Sequence, residues 1–438
     1  MRSLLISILL AGAALASSAQ SSVNDRLAAA MNSGNWFALD SVYNQAPKDS
    51  VMPFLDAYSR ALIGNRLNRP DMSIPAFTEL LNVHSQYLDV GNLLNSAVML
   101  SMDMSRTGAD ADAAAMLSAV LDATREHLDS AAVAGVQRFI TQYSALSPYS
   151  PYTISFDGEL GHIPFSVVPV GPAEKESVLI HLNNCSINGS EVPITFDTGA
   201  GVNIISDTLA TRLGLIPLGS SITVSGIGRR DARFALAREL KMGNITVRDV
   251  PFAVMSLTLD NEEANRHVGA LNIVVGSELM LRLKDLTIDF ADSVITVPAK
   301  APERSGAAPN LCFSSSMNLL SPGRIGGIPM LMCVDTGDSS YGDLSRQFLE
   351  QNHQDVMAGA VPDSIRMAGI GGVSITQGYK LLHPSCTIAG TTVSLPSIFV
   401  TSSDATLTDH EANLGLKSLI LFRRLRFNLI DFTLTPLP

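Results

Sequence analysis

Apolar residues recur at intervals of three and four through the first third of the chain, in segments such as Val51 to Ile63, Ile74 to Leu88 and Asp110 to Leu128. That spacing gathers them on one face of a helix. Breaks fall at Gly34, at Asn68-Arg69-Pro70 and around Gly108, where glycine and proline interrupt helical geometry. The pattern predicts an all-α domain over residues 22–146, with about six short helices stacked as antiparallel pairs. An ordinary helical domain and a repeat-like array that binds a partner protein both fit it. Trp36 and Phe37 are expected in its core rather than on a binding face.

From Pro148 the texture changes. Pro148, Pro151, Pro164, Pro169 and Pro172 break up short β-like runs, which predicts a connector over 147–174. Beyond it, alternating apolar segments punctuated by Gly and Asn predict strands. A stretch rich in Ala and Pro, 299–309, separates a first β lobe over 175–298 from a second over 310–438. The expected class is a multidomain α+β chain, a helical N-terminal domain followed by a two-lobed all-β region.

The two lobes repeat one another. Asp197-Thr198-Gly199-Ala200 follows the apolar run Val192 to Phe196, and Asp335-Thr336-Gly337-Asp338 follows Ile328 to Val334. Average residue usage gives roughly a tenth of a chance Asp-Thr-Gly in such a chain, so two copies in matching contexts are not accidental. Gly226-Ile227-Gly228 is answered by Gly369-Ile370-Gly371, and Gly243-Asn244 by Gly390-Thr391. Val274-Val275-Gly276 and Asn413-Leu414-Gly415 then fall at nearly the same distance after their Asp, and Asp289-Phe290 and Asp431-Phe432 close the lobes.

Composition narrows the partners. Hydrophobic residues make up 46% and charged residues 16%, which suits packed domains and excludes a disordered chain. The formal charge is −11 with no run of Lys or Arg, so nucleic acid is not an expected partner. Arg2 followed by a short apolar stretch and Ala14-Leu15-Ala16 predicts a signal peptide over 1–19 and a secreted or periplasmic protein. No later segment is apolar enough to span a membrane. Cys185, Cys312, Cys333 and Cys386 would then meet an oxidising compartment, with their pairing open. No Cys-x-x-Cys, paired His or Gly-x-Ser-x-Gly occurs, so neither a metal, a cofactor nor a serine nucleophile is expected.

On these motifs, residues from about 175 onward resemble an aspartic protease of the retropepsin-like branch, with two lobes fused in one chain. The resemblance implies that Asp197 and Asp335 are catalytic, and that peptides or proteins are the substrate. Thr198 and Thr336 would bond across the lobes, and Gly199 and Gly337 would let the backbone turn beside the carboxylates. Gly226, Ile227, Gly228, Gly369, Ile370 and Gly371 would be flap tips closing over substrate, or plain hairpin turns. Two neighbouring carboxylates push their pKa values apart and so do acid and base work together. Asp338 departs from the family, which places Ser, Thr or Ala there. It leaves a second reading open, an inactive peptide-binding protein using the same cleft, with the helical domain as a partner-binding module.

Overall fold

The computed structural model describes residues 22–170, 177–225, 229–257, 271–369, 372–402 and 410–438. They form two compact units, one ending at Pro148 and the other beginning at Tyr149.

Among the described residues the first unit holds seven α-helices, one more than the periodicity suggests: Val23–Asn32, Trp36–Gln45, Pro53–Arg66, Pro70–Val83, Val90–Arg106, Asp110–Thr124 and Ser130–Leu146. Each packs on its neighbours in the chain, as stacked helical hairpins do. Asp89 and Asp129 cap their helices by accepting from the N–H groups of Asn92 and Ala132, which satisfies donors that the helix start leaves open. Pro70 opens a helix rather than merely breaking one, because its missing donor costs nothing at the first position. Gly64 lies where the next helix crosses: a Cβ there would overlap the backbone of Ser73. Asp103 is fully buried and takes hydrogen bonds from Asn65, Ser73 and Arg106, so its charge is paired. Trp36 and Phe37 are half-buried rather than core, and the Arg66 guanidinium sits 5.3 Å from the Trp36 ring.

The second unit is built on a 15-stranded and a 10-stranded sheet among the described residues. The expected connector is not irregular. Strands Thr153–Phe156 and Leu160–Val170 lie within it, and the latter pairs first with Val294–Pro298 and then with Ser177–Leu182. Its prolines are tolerated because each stretch has one partner. The Phe165 N–H donates to Ser293 on one side and Pro164 accepts from Asn183 on the other. The missing donors of Pro164 and Pro169 therefore point away from their respective partner strands.

Within this unit the two halves follow one plan. Strand Ile194–Phe196 pairs parallel with Ile273–Val275, which pairs antiparallel with Ile204–Ser206, which pairs parallel with Ile245–Met255. In the second half Ile328–Val334, Ala412–Leu414, Gly342–Leu344 and Ser397–Thr401 repeat those directions in that order. Ser206 and Ser345 each cap the short helix that follows. The closing Asp-Phe pairs are not equivalent, however. Asp289 ends its strand and accepts from Ala291 and Asp292, and the residue in that place in the second half is Asn428, which accepts from Ile430 and Asp431. Asp431-Phe432 lies in the turn beyond it.

One apolar core runs through both halves. The last strands join them: Arg424–Asn428 pairs antiparallel with Asp285–Asp289, reinforced by the bidentate Arg426–Asp285 pair at 3.0 and 2.8 Å. No described helix is long and apolar enough to cross a membrane.

Candidate active site

Each Asp-Thr-Gly sits where a buried strand runs out beside a parallel neighbour. The Asp197 N–H donates to the Val275 carbonyl and the Asp335 N–H to that of Leu414, both at 3.0 Å. Asp197 Oδ1 accepts the N–H groups of Gly199 (2.8 Å) and Ala200 (3.1 Å). Asp335 Oδ1 accepts those of Gly337 (2.9 Å) and Asp338 (3.1 Å). Two donors on one oxygen fix each carboxylate plane.

The threonines tie the two loops together. The Thr198 N–H donates to Thr336 Oγ1 and the Thr336 N–H to Thr198 Oγ1, each at 3.0 Å. Their hydroxyls donate onward, Thr198 to the Val334 carbonyl (2.6 Å) and Thr336 to that of Phe196 (2.9 Å). Both side chains are fully buried. The result brings the carboxyls of Asp197 and Asp335 within hydrogen-bonding reach of each other.

Gly199 and Gly337 lie in turns beside the carboxylates, as expected, and do more than that. Neither has a left-handed backbone. A Cβ at Gly199 would overlap the Asp335 carboxyl, and one at Gly337 would overlap that of Asp197. Each glycine makes room for the carboxylate of the opposite half. Asn318 adds a further cross-link, donating to the Gly199 carbonyl at 2.8 Å.

Burial raises the pKa of Asp197. Asp335 is pushed up to about 7, first by burial and then by the negative charge of Asp197. Such a pair shares one proton and titrates as a unit. Its ionised member can take a proton from water while the protonated member gives one to a carbonyl oxygen.

The first half of this site falls inside residues 184–278, which match the sequence model of the aspartyl protease family. That stretch is similar to an aspartyl protease domain. It holds Asp197, Thr198 and Gly199 and runs through Val274-Val275-Gly276. No curated protein matches the chain.

Of the flap candidates, Gly226, Ile227, Gly228, Ile370 and Gly371 lie outside the described residues. Gly369 ends strand Ala360–Gly369, paired with Gly372 on the strand Gly372–Leu382. Strands Ile216–Ser225 and Arg229–Met242 pair likewise, with Ser225 opposite Arg229. Each segment thus joins two antiparallel strands.

The halves differ where Asp338 replaces Ala200. Asp338 Oδ1 accepts from the N–H and hydroxyl of Ser340 at 2.9 and 2.7 Å. Its Oδ2 accepts from the Asn413 amide at 3.0 Å, and the same amide nitrogen donates to Asp335 Oδ2 at 3.1 Å. Burial and then the charge of Asp335 push Asp338 up to about 6. In the sequence Asn413 stands only as the counterpart of Val274. A polar residue in a strand whose counterpart is Val274 was the clue. Among the described residues no cluster of His, Cys, Asp and Glu is arranged to hold a metal ion.

Proposed function

We propose that this chain is an aspartic endopeptidase of the retropepsin-like branch, its two lobes fused in one chain. In this reading Asp197 and Asp335 activate a water for attack on the peptide carbonyl and protonate the carbonyl oxygen. One observation carries it: two carboxyls from two separate Asp-Thr-Gly loops come within hydrogen-bonding reach in a threonine-locked frame. The match of residues 184–278 to the aspartyl protease family supports it. An extended peptide would lie along the line between the lobes, beneath the two hairpins.

The test is peptide cleavage by the wild type, Asp197→Asn and Asp335→Asn. Loss of a proton-transfer partner is expected to cost on the order of a thousandfold in kcat/KM for each variant. A wild type no faster than either variant overturns the proposal.

Asp338 supports a second reading, a peptide-binding protein that keeps the cleft without the reaction, because a third buried carboxylate beside the pair opposes its ionisation. Binding of a transition-state-like peptide, with no cleavage from acid to mildly alkaline pH, would favour it. Residues 1–19 would direct export to the periplasm or medium, and the N-terminal sequence of the mature protein checks this. The helical unit would engage a protein partner or select substrate, a role that deletion of residues 22–146 separates from cleavage of small peptides.

A further inference from the structure

Each carboxylate takes two N–H donors of its own loop on Oδ1, and the second half adds a side-chain donor. Asp335 takes two N–H donors on Oδ1 and a third on Oδ2, from Asn413. The residue that pairs at the same place in the first half is Val274, which has no donor: Val274 is in register with Thr195, and Asn413 with Cys333, two residues before the respective Asp. Both groups facing the Asn413 amide are carboxylate oxygens, so its nitrogen end must point at them. One amide therefore bridges Asp335 to Asp338, and Ser340 holds Asp338 from the far side.

We propose, resting on the aspartic-protease reading above, that Asn413 is a positioning residue that makes the two aspartates unequal. Its amide stabilises the carboxylate form of Asp335, a side-chain donor with no counterpart at Val274. Through the same amide Asp338 places a third negative charge beside the pair, which shifts the working range toward neutral pH. The argument is one of donors and charges. An added N–H donor stabilises the carboxylate form of the group it faces. The pair then loses a proton more readily with the amide than without it. A negative Asp338 opposes both proton losses.

The charged and titratable surroundings are consistent with this sign. The antiparallel neighbour of Asn413 is Asp343, and the parallel neighbour is Cys333. Before the strand, His410 acts on Asp343 by its charge, and the Glu411 carboxylate accepts the Leu331 N–H at 2.8 Å. After it, the Lys417 ammonium lies 4.4 Å from the Tyr341 ring centroid.

Two substitutions give the second half the residues of the first: Asn413→Val and Asp338→Ala. The pH dependence of kcat/KM is measured for each, with Asp338→Asn as a variant that keeps the side-chain shape. Asn413→Val is expected to move the limbs of the profile up by about 0.5–1 pH unit, since the ionised pair loses a donor. Asp338→Ala and Asp338→Asn are expected to move both limbs down. A purely structural role would lower the rate without displacing the limbs, and that result overturns the proposal, as does movement of both sites' variants in one direction. Carbon-13 NMR titration of aspartate carboxyls in the same variants reads the proton equilibria without cleavage. Titration shifts of the expected signs in a protein that cleaves nothing would uphold the bridge and remove the protease reading. Cleavage with unshifted titrations would do the reverse.

Discussion

Thr198 and Thr336 exchange backbone-to-hydroxyl hydrogen bonds of equal length, 3.0 Å each way, across the two halves of the β unit. Each hydroxyl accepts from the other loop and donates to the strand beneath it. Replacing either by Val keeps the shape and deletes two bonds, leaving a buried N–H and a buried carbonyl unsatisfied. Such losses cost about 2–4 kcal/mol. Thr198→Val and Thr336→Val should destabilise alike, and the double variant by less than the sum, since the lock is already open. Thr→Ser at either site should cost little. Urea unfolding followed by hydrogen–deuterium exchange of peptides from the β unit measures this. The only Trp, Trp36, is in the helical unit, so its fluorescence would follow the wrong transition.

Gly337→Ala tests the crossing of glycine and carboxylate. The backbone there is not left-handed, so alanine strains nothing locally, but its Cβ meets the Asp197 carboxyl. Displacement of one carboxylate by a fraction of an ångström is expected to lower kcat/KM roughly 100-fold. Gly199→Ala should do the same through Asp335. The unfolding midpoints should change far less than the rates; an alanine variant with wild-type kcat/KM would show that the pair tolerates displacement and that this packing is not what holds it.

Much of this site was legible in the chain. The repeated triplets and the ordered glycine segments carry it, because strand ends, close approaches and hairpin turns accept few residue types. The helical unit was readable from periodicity, down to Pro70 as a boundary, though a helix start and a helix break look alike there. Strand Leu160–Val170 was hidden by its prolines, since only the pairing shows that Pro164 and Pro169 turn their missing donors outward. Asp431-Phe432 misled for the opposite reason: two residues coincided with Asp289-Phe290 while the structural counterpart, Asn428, differs in letter and shares the geometry. The Asn413 bridge could not be read, because it joins side chains from separate segments that no local pattern relates.

Cys185 and Cys386 are buried free thiols, and burial pushes both up to about 12. Alkylation needs the thiolate. Iodoacetamide at mildly alkaline pH should therefore leave both unmodified in the native protein and modify both after unfolding in guanidinium, read by peptide mass spectrometry. Labelling of the native protein at either position would mean that its strand opens readily, against its place in the core.

Asp343 gives a stability prediction whose sign follows from its surroundings. It lies on strand Gly342–Leu344, and burial, then the charge of Asp338, push it up to about 7. A carboxyl raised in the folded state favours the protonated fold. Its contribution is fully present below the unfolded value near 4 and is lost as pH rises through about 7. Asp338, raised to about 6, adds to the same slope. The β unit should thus become less stable between mildly acidic and mildly alkaline pH. Asp343→Asn mimics the protonated form and should flatten that slope. After allowance for water reaching a half-buried group, the gain over wild type at alkaline pH should be about 2 kcal/mol, with little difference at pH near 4. Urea midpoints across that range decide it: parallel wild-type and Asp343→Asn curves would mean that Asp343 ionises in the fold as freely as in the unfolded chain.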